Sequence, residues 1–151
     1  MRLWHYELLP YLPDLQFKGQ LRELIAIMRS WRDNGTTNHL LINKVMEYKK
    51  IDLVSYFIEY CVIYSKRYGD RKGFIISAMY ETEFQEFLEF GCYGPEKEIF
   101  DGWHNKEYLR SNMANLWEKH TMGVGKSRIT DEEWQRLLEG YKTITGKDYV
   151  I

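Results

Sequence analysis

Among the residues able to do chemistry, one carboxylate stands out by its surroundings: Glu23, preceded by Arg22, in the segment from Asp14 to Trp31. Laid out at about 100° per residue, that segment puts Phe17, Leu21, Leu24, Met28 and Trp31 on one side and Gly19, Glu23 and Ala26 on the other. Small residues thus flank a single acid. A glycine inside a helix costs about 1 kcal/mol relative to alanine, so Gly19 invites a reason, such as the close approach of another backbone or of a ligand. Two readings follow. A neighbouring helix crosses at this edge while Arg22 and Glu23 make surface pairs, or the bare edge admits a ligand to the carboxylate.

Other chemistries find less support. His5, His39, His104 and His120 are scattered with no pair at metal-ligand spacing, and Cys61 and Cys92 form no CxxC, so no metal site is expected. Their count alone leaves a disulfide open. No GxSxG elbow is present. The stretch GVGKSR, Gly123 to Arg128, lacks the spacing of a phosphate-binding loop and follows no strand, and no cofactor is expected there or elsewhere. With a net charge of −1 and a pI near 6.4, the chain cannot coat nucleic acid by bulk electrostatics. Any grip on DNA must be local. The acids Glu81, Glu83, Glu86, Glu89, Glu96, Glu98 and Asp101 crowd one stretch. Lys66, Arg67, Arg71 and Lys72 gather in another, and Lys106, Arg110, Lys119, Lys126 and Arg128 in a third. Each cationic group reads either as an ordinary solvated face or as a contact surface.

The elements that must position Glu23 are helical. At 151 residues, 44% hydrophobic and 16% aromatic, the chain is expected to form one domain, 1–151, with a sizeable core. Pro10 and Pro13 disfavour helix in the residues before them, so Met1 to Pro13 reads as an extended arm. The first long helix starts at Asp14 and stops at Asp33-Asn34-Gly35. Further helices are expected from about Asn38 to Tyr48 and from about Ile51 to Tyr68, the second with a stripe of Leu53, Phe57, Tyr60 and Tyr64. Residues 74 to 90 have helical spacing, although Phe74-Ile75-Ile76 alone fits a strand. Gly91 to Asn105 reads as a loop. Tyr108 to Thr121 and Asp131 to Thr145 complete the set, the latter opened by a capping box of Thr130 and Glu133. The expected fold is all-α, a compact bundle of about five to six helices with an extended N-terminal arm. No apolar run is long enough to cross a membrane, and no basic-then-apolar leader opens the chain, so a cytoplasmic location is expected.

MRLWHYELLPYLPDLQFKGQLREL, the arm and first helix, resembles the start of the phage-type pyrimidine-dimer DNA glycosylases, often called endonuclease V, and of their bacterial relatives. In the phage enzyme an Arg-Glu-Leu triplet lies at the same distance from the chain start as Arg22-Glu23-Leu24, after a matching Asp14. Bacterial relatives of unassigned activity are closer still, sharing the Arg-Leu-Trp-His start and the L-x-P-x-L-P arm. The likeness continues weakly through His39 to Tyr68, more clearly from Tyr108-Leu109 to Leu116-Trp117-Glu118-Lys119, and faintly in Tyr141-Lys142 and Gly146-Lys147.

The resemblance implies DNA repair by glycosylase chemistry on pyrimidine-dimer-like lesions, with or without abasic-site lyase activity. In this family the terminal amine attacks the sugar of the damaged nucleotide, and here that amine is Met1's, since a methionine before the large Arg2 is normally retained. Glu23 matches the carboxylate that stabilises the sugar's positive charge and moves protons. Arg22 matches a phosphate-holding arginine, Lys119 a further basic contact, and Arg2 joins them as an expected DNA-binding residue. Double-stranded DNA is the implied partner. Leu3, Ala26 and Asn115 stand where the family carries basic residues. The same residues also fit a non-catalytic nucleic-acid-binding relative. A third reading is a protein-interaction domain with an exposed patch containing Trp103 and Trp117.

Overall fold

A computed structural model describes residues 2–33, 40–69 and 99–151. Met1, His39, Arg71, Lys72, Cys92, the helix expected over 74–90 and the acidic residues 81 to 98 therefore lie outside the described residues. Those residues hold five α-helices: α1 Asp14–Arg32, α2 Leu40–Met46, α3 Lys50–Tyr68, α4 Lys106–Thr121 and α5 Asp131–Thr145. Two short 3-10 segments join them, Tyr6–Tyr11 and Gly125–Ser127. No strand occurs among the described residues, and the fold is all-α.

The chain divides into two compact units. One comprises residues 1–3 and 20–101, the other residues 4–19 and 102–151.

In the first unit, α1 presents Leu21, Leu24, Ile27 and Met28 to a core that also takes Leu3, Ile42, Val45, Leu53, Tyr56, Phe57 and Tyr60. The 3.6-residue period of the apolar positions made α1 legible, and Asp14 favours its start because an acid complements the partial positive charge there. Trp31, the last position of the expected stripe, is only half-buried, with the Lys50 ammonium 6.0 Å from its ring. Phe100 holds a left-handed backbone, φ 55, unusual for a residue with a Cβ. Its buried ring meets Tyr48 edge-on and Tyr56 at a tilt. The Asp52 carboxylate accepts the Phe100 N–H, which offsets part of the rise that burial imposes on its pKa.

In the second unit the N-terminal segment is extended only through its first residues. Tyr6–Tyr11 coils into a 3-10 helix with Pro10 inside. Proline opposes an α-helix here, but a single 3-10 stretch makes fewer demands on the missing N–H, and turning inward buries Leu8 and Leu9. His5 caps it, its Nδ1 accepting the Glu7 N–H at 3.2 Å. Against this segment packs α5. Gly140 lies directly under the Tyr11 ring, and Arg136 donates to the Pro10 carbonyl at 3.0 Å. The α5 cap is the expected one: Thr130 Oγ1 accepts the Glu133 N–H at 3.1 Å, and Glu133 returns the bond at 3.0 Å.

Candidate functional site

Glu23 sits in α1 one turn beyond Gly19, and both are partly exposed, as is Ala26. The edge expected from periodicity is real. A Cβ built on Gly19 meets nothing within 4 Å, so among the described residues no neighbouring backbone accounts for this glycine. Of the two readings of the bare edge, helix crossing has no support from the described residues.

The carboxylate is joined to the start of the chain. Glu23 Oε2 accepts the backbone N–H of Arg2 at 3.1 Å, and it also accepts a hydrogen from Gln20 Nε2 at 2.9 Å. The same Gln20 nitrogen donates to the Arg2 carbonyl at 2.9 Å. On its other side, Gln20 Oε1 accepts the Tyr56 hydroxyl at 3.1 Å. Both ends of the Gln20 amide are therefore committed, which fixes its orientation: a carbonyl and a carboxylate each require a donor. Glu23 Oε1 receives no hydrogen bond from the described residues.

Partial burial raises the Glu23 pKa above its ordinary value. The Arg2 N–H, the positive chain terminus, the Gln20 amide and the Arg2 side chain oppose the rise without cancelling it. The result is a carboxylate more basic than one in water, held by one oxygen and offering the other.

Arg22 is exposed beside Glu23, and Arg2 is half-buried. Lys119 is exposed in the last turn of α4, within the second unit. Two other cations of that stretch are engaged: Arg110 reaches the Val150 carbonyl and lies over the Tyr149 ring, and Arg128 Nε donates to the His120 carbonyl at 3.1 Å. Leu3 is wholly buried, and Asn115 turns back onto the Ser111 carbonyl of its own helix at 2.9 Å. Neither position supplies a charge.

Gln20 and Tyr56 were missed by sequence reasoning. Tyr56 lies beside the expected α3 stripe, and Gln20 is a polar residue on the buried side of α1. The available signal was its place: three residues after Phe17 and four before Leu24, a core-facing position occupied by an amide.

Two histidines thought scattered come together in the second unit. His5 and His104 are buried with their rings stacked at 5.3 Å. His5 Nδ1 caps the 3-10 helix, and His104 Nδ1 accepts the Tyr6 N–H at 3.2 Å. Burial lowers the His5 pKa to about 4, and His104 lower still, so both are neutral at pH 7. No cluster of three or more His, Cys, Asp or Glu suited to a metal ion occurs among the described residues. No described helix is long and apolar enough to cross a membrane. Trp103 packs on His104 and Tyr108, and Trp117 on His120 and Trp134. Each is partly buried within a ring cluster.

Comparison with known proteins gives one match. A family model described as pyrimidine dimer DNA glycosylase fits residues 1–75, the stretch that contains Arg2, Gln20, Arg22, Glu23 and Tyr56. Nothing matches among curated proteins or among solved structures.

Proposed function

We propose, from the match of residues 1–75 to the pyrimidine dimer DNA glycosylase family model, that the chain excises damaged bases from duplex DNA by attack of its terminal amine. The observation that carries the proposal is the 3.1 Å hydrogen bond between the Arg2 N–H and Glu23 Oε2. Successive backbone nitrogens are under about 4 Å apart by covalent geometry, so the amine of Met1 stays within about 7 Å of that oxygen. The proposed reaction puts the sugar carbon between amine and carboxylate.

The chemistry follows from these groups. An α-amine has an ordinary pKa of about 7.7 to 8.0, so a useful fraction is neutral and nucleophilic near pH 7. Its lone pair bonds to C1′ of the damaged nucleotide as the C1′–N glycosidic bond breaks, and the base leaves with the bonding pair and takes up a proton. The Glu23 carboxylate stabilises the positive charge that grows on the sugar. Loss of an amine proton and opening of the ring give a C1′ iminium, a Schiff base. Glu23 then removes a C2′ proton, and the C3′–O bond breaks by β-elimination, cutting the strand. Arg22 holds a backbone phosphate in its planar fork, with Arg2 and Lys119 as further phosphate contacts. Gly19 and Ala26 leave room for the nucleotide, which must leave the stack and does so most readily where it is damaged.

Borohydride trapping tests the proposal. Incubated with abasic and dimer-containing duplexes, the protein gives a covalent adduct that N-terminal acetylation or Glu23→Gln abolishes. Intact mass of the adduct identifies Met1 as the attached residue. Absence of an adduct on both substrates overturns the enzyme reading. The burial of Leu3 and the self-bonding of Asn115 favour a second reading, a DNA-binding relative without turnover, which salt-dependent duplex binding in the absence of trapping would establish.

A further inference from the structure

We infer that Gln20, steadied by Tyr56, is a positioning residue that fixes Glu23 against the start of the chain and leaves Oε1 as the oxygen that acts. The inference rests on the function proposed above and adds a residue that neither the helix face nor the family likeness singled out.

Gln20 is 1% exposed and Tyr56 fully buried. A buried amide is costly unless its donors and acceptor are engaged, and here each group has a partner: two acceptors for the NH2, one donor for the carbonyl. The partners are not equivalent. One is the carboxylate and another is the backbone of Arg2, the residue next to the proposed nucleophile. A single side chain therefore spans the two halves of the reaction centre and sets the distance between them. Tyr56 is 36 residues away along the chain, on α3, and its hydroxyl holds the amide from behind. Glu23 Oε2 is occupied by two hydrogen bonds, from Arg2 N and Gln20 Nε2, so proton transfer falls to Oε1. Were the carboxylate free to rotate, either oxygen could present itself, and the amine-to-acid distance would vary by more than the roughly 1 Å that costs about a hundredfold in rate.

The test uses Gln20→Met, which keeps the side-chain length and removes the amide, and Tyr56→Phe, which removes only the hydroxyl. Two readings are taken on the full chain: steady-state cleavage of an abasic duplex, and the carboxyl titration of Glu23 followed by 13C NMR, assigned by its loss in Glu23→Gln. Gln20→Met is expected to lower kcat roughly tenfold to a hundredfold with KM nearly unchanged. It is also expected to raise the titration midpoint of Glu23, because a donor to the charged form has been removed. Tyr56→Phe shifts both in the same direction by less. A residue that served only the core would lower stability without moving the Glu23 midpoint. An unchanged midpoint in both folded variants overturns the inference, and so does an unchanged kcat. If Gln20→Met does not fold, Tyr56→Phe decides by the same readings. If the unaltered protein cleaves and traps nothing, the glycosylase reading falls on that result, and the Glu23 midpoint alone then upholds or overturns the role of Gln20.

Discussion

A carboxylate that is partly buried and hydrogen-bonded through one oxygen trades stability for reactivity. The folded pKa of Glu23 is raised from 4.5, so the folded chain keeps this proton after the unfolded chain has released it. Stability from this group is thus greatest below the ordinary glutamate range and falls as pH rises through the folded value. Glu23→Gln keeps an acceptor for the Arg2 N–H and removes the charge. Thermal melts are expected to show the variant more stable than the parent at pH 7, with the gap closing on acidification toward pH 4, while trapping is abolished. A variant less stable at pH 7 would contradict the electrostatic assignment.

At the scale of elements, two helical glycines are expected to respond in opposite directions. Gly19 in α1 has open space where a Cβ would go, so Gly19→Ala is expected to stabilise by about 0.5–1 kcal/mol through helix propensity. Gly140 in α5 has the Tyr11 ring there. Gly140→Ala meets that ring and is expected to cost about 1–3 kcal/mol, outweighing the propensity gain, because the ring cannot recede without opening the contact between α5 and the 3-10 helix. Urea denaturation of both variants checks the pair. A larger residue at position 19 tests function at the same site: Gly19→Leu should retain stability but weaken trapping if the edge admits a nucleotide.

For the molecule as a whole, charge sets the expected mode of DNA binding. With a net charge of −1, attraction comes from few residues. If Arg2, Arg22 and Lys119 supply three phosphate contacts, log K against log salt should fall with a slope of about −2.7, and Arg22→Ala should reduce that slope by about 0.9. Fluorescence anisotropy over a salt series measures both. Acid should act on the second unit through His5 and His104. Their folded pKa values lie below the ordinary 6.5, so the stability they contribute is complete above about pH 6.5 and is lost as pH falls toward 4. Each removes up to about 1.4 kcal/mol per pH unit within that window. His5→Asn keeps an oxygen to cap the 3-10 helix and cannot take up the proton, and it is expected to flatten the decline of the melting temperature between pH 6.5 and 4.

Local pattern carried much of this. The 3.6-residue spacing of Phe17, Leu21, Leu24 and Met28 located α1 and assigned Glu23 to its other face. Thr130 and Glu133 marked the start of α5. These are properties of one helix or of consecutive residues, where geometry repeats within a turn or two. The partners of Glu23 are of another kind. That Gln20 faces inward to Tyr56, that one oxygen of Glu23 is engaged with Arg2, and that His5 stacks on His104 depend on contacts between segments distant in sequence. Periodicity says that a position is buried, but not what it is buried against. A buried amide gains its meaning only from the donors and acceptors that packing brings to it, and for Gln20 the tertiary structure alone supplied them.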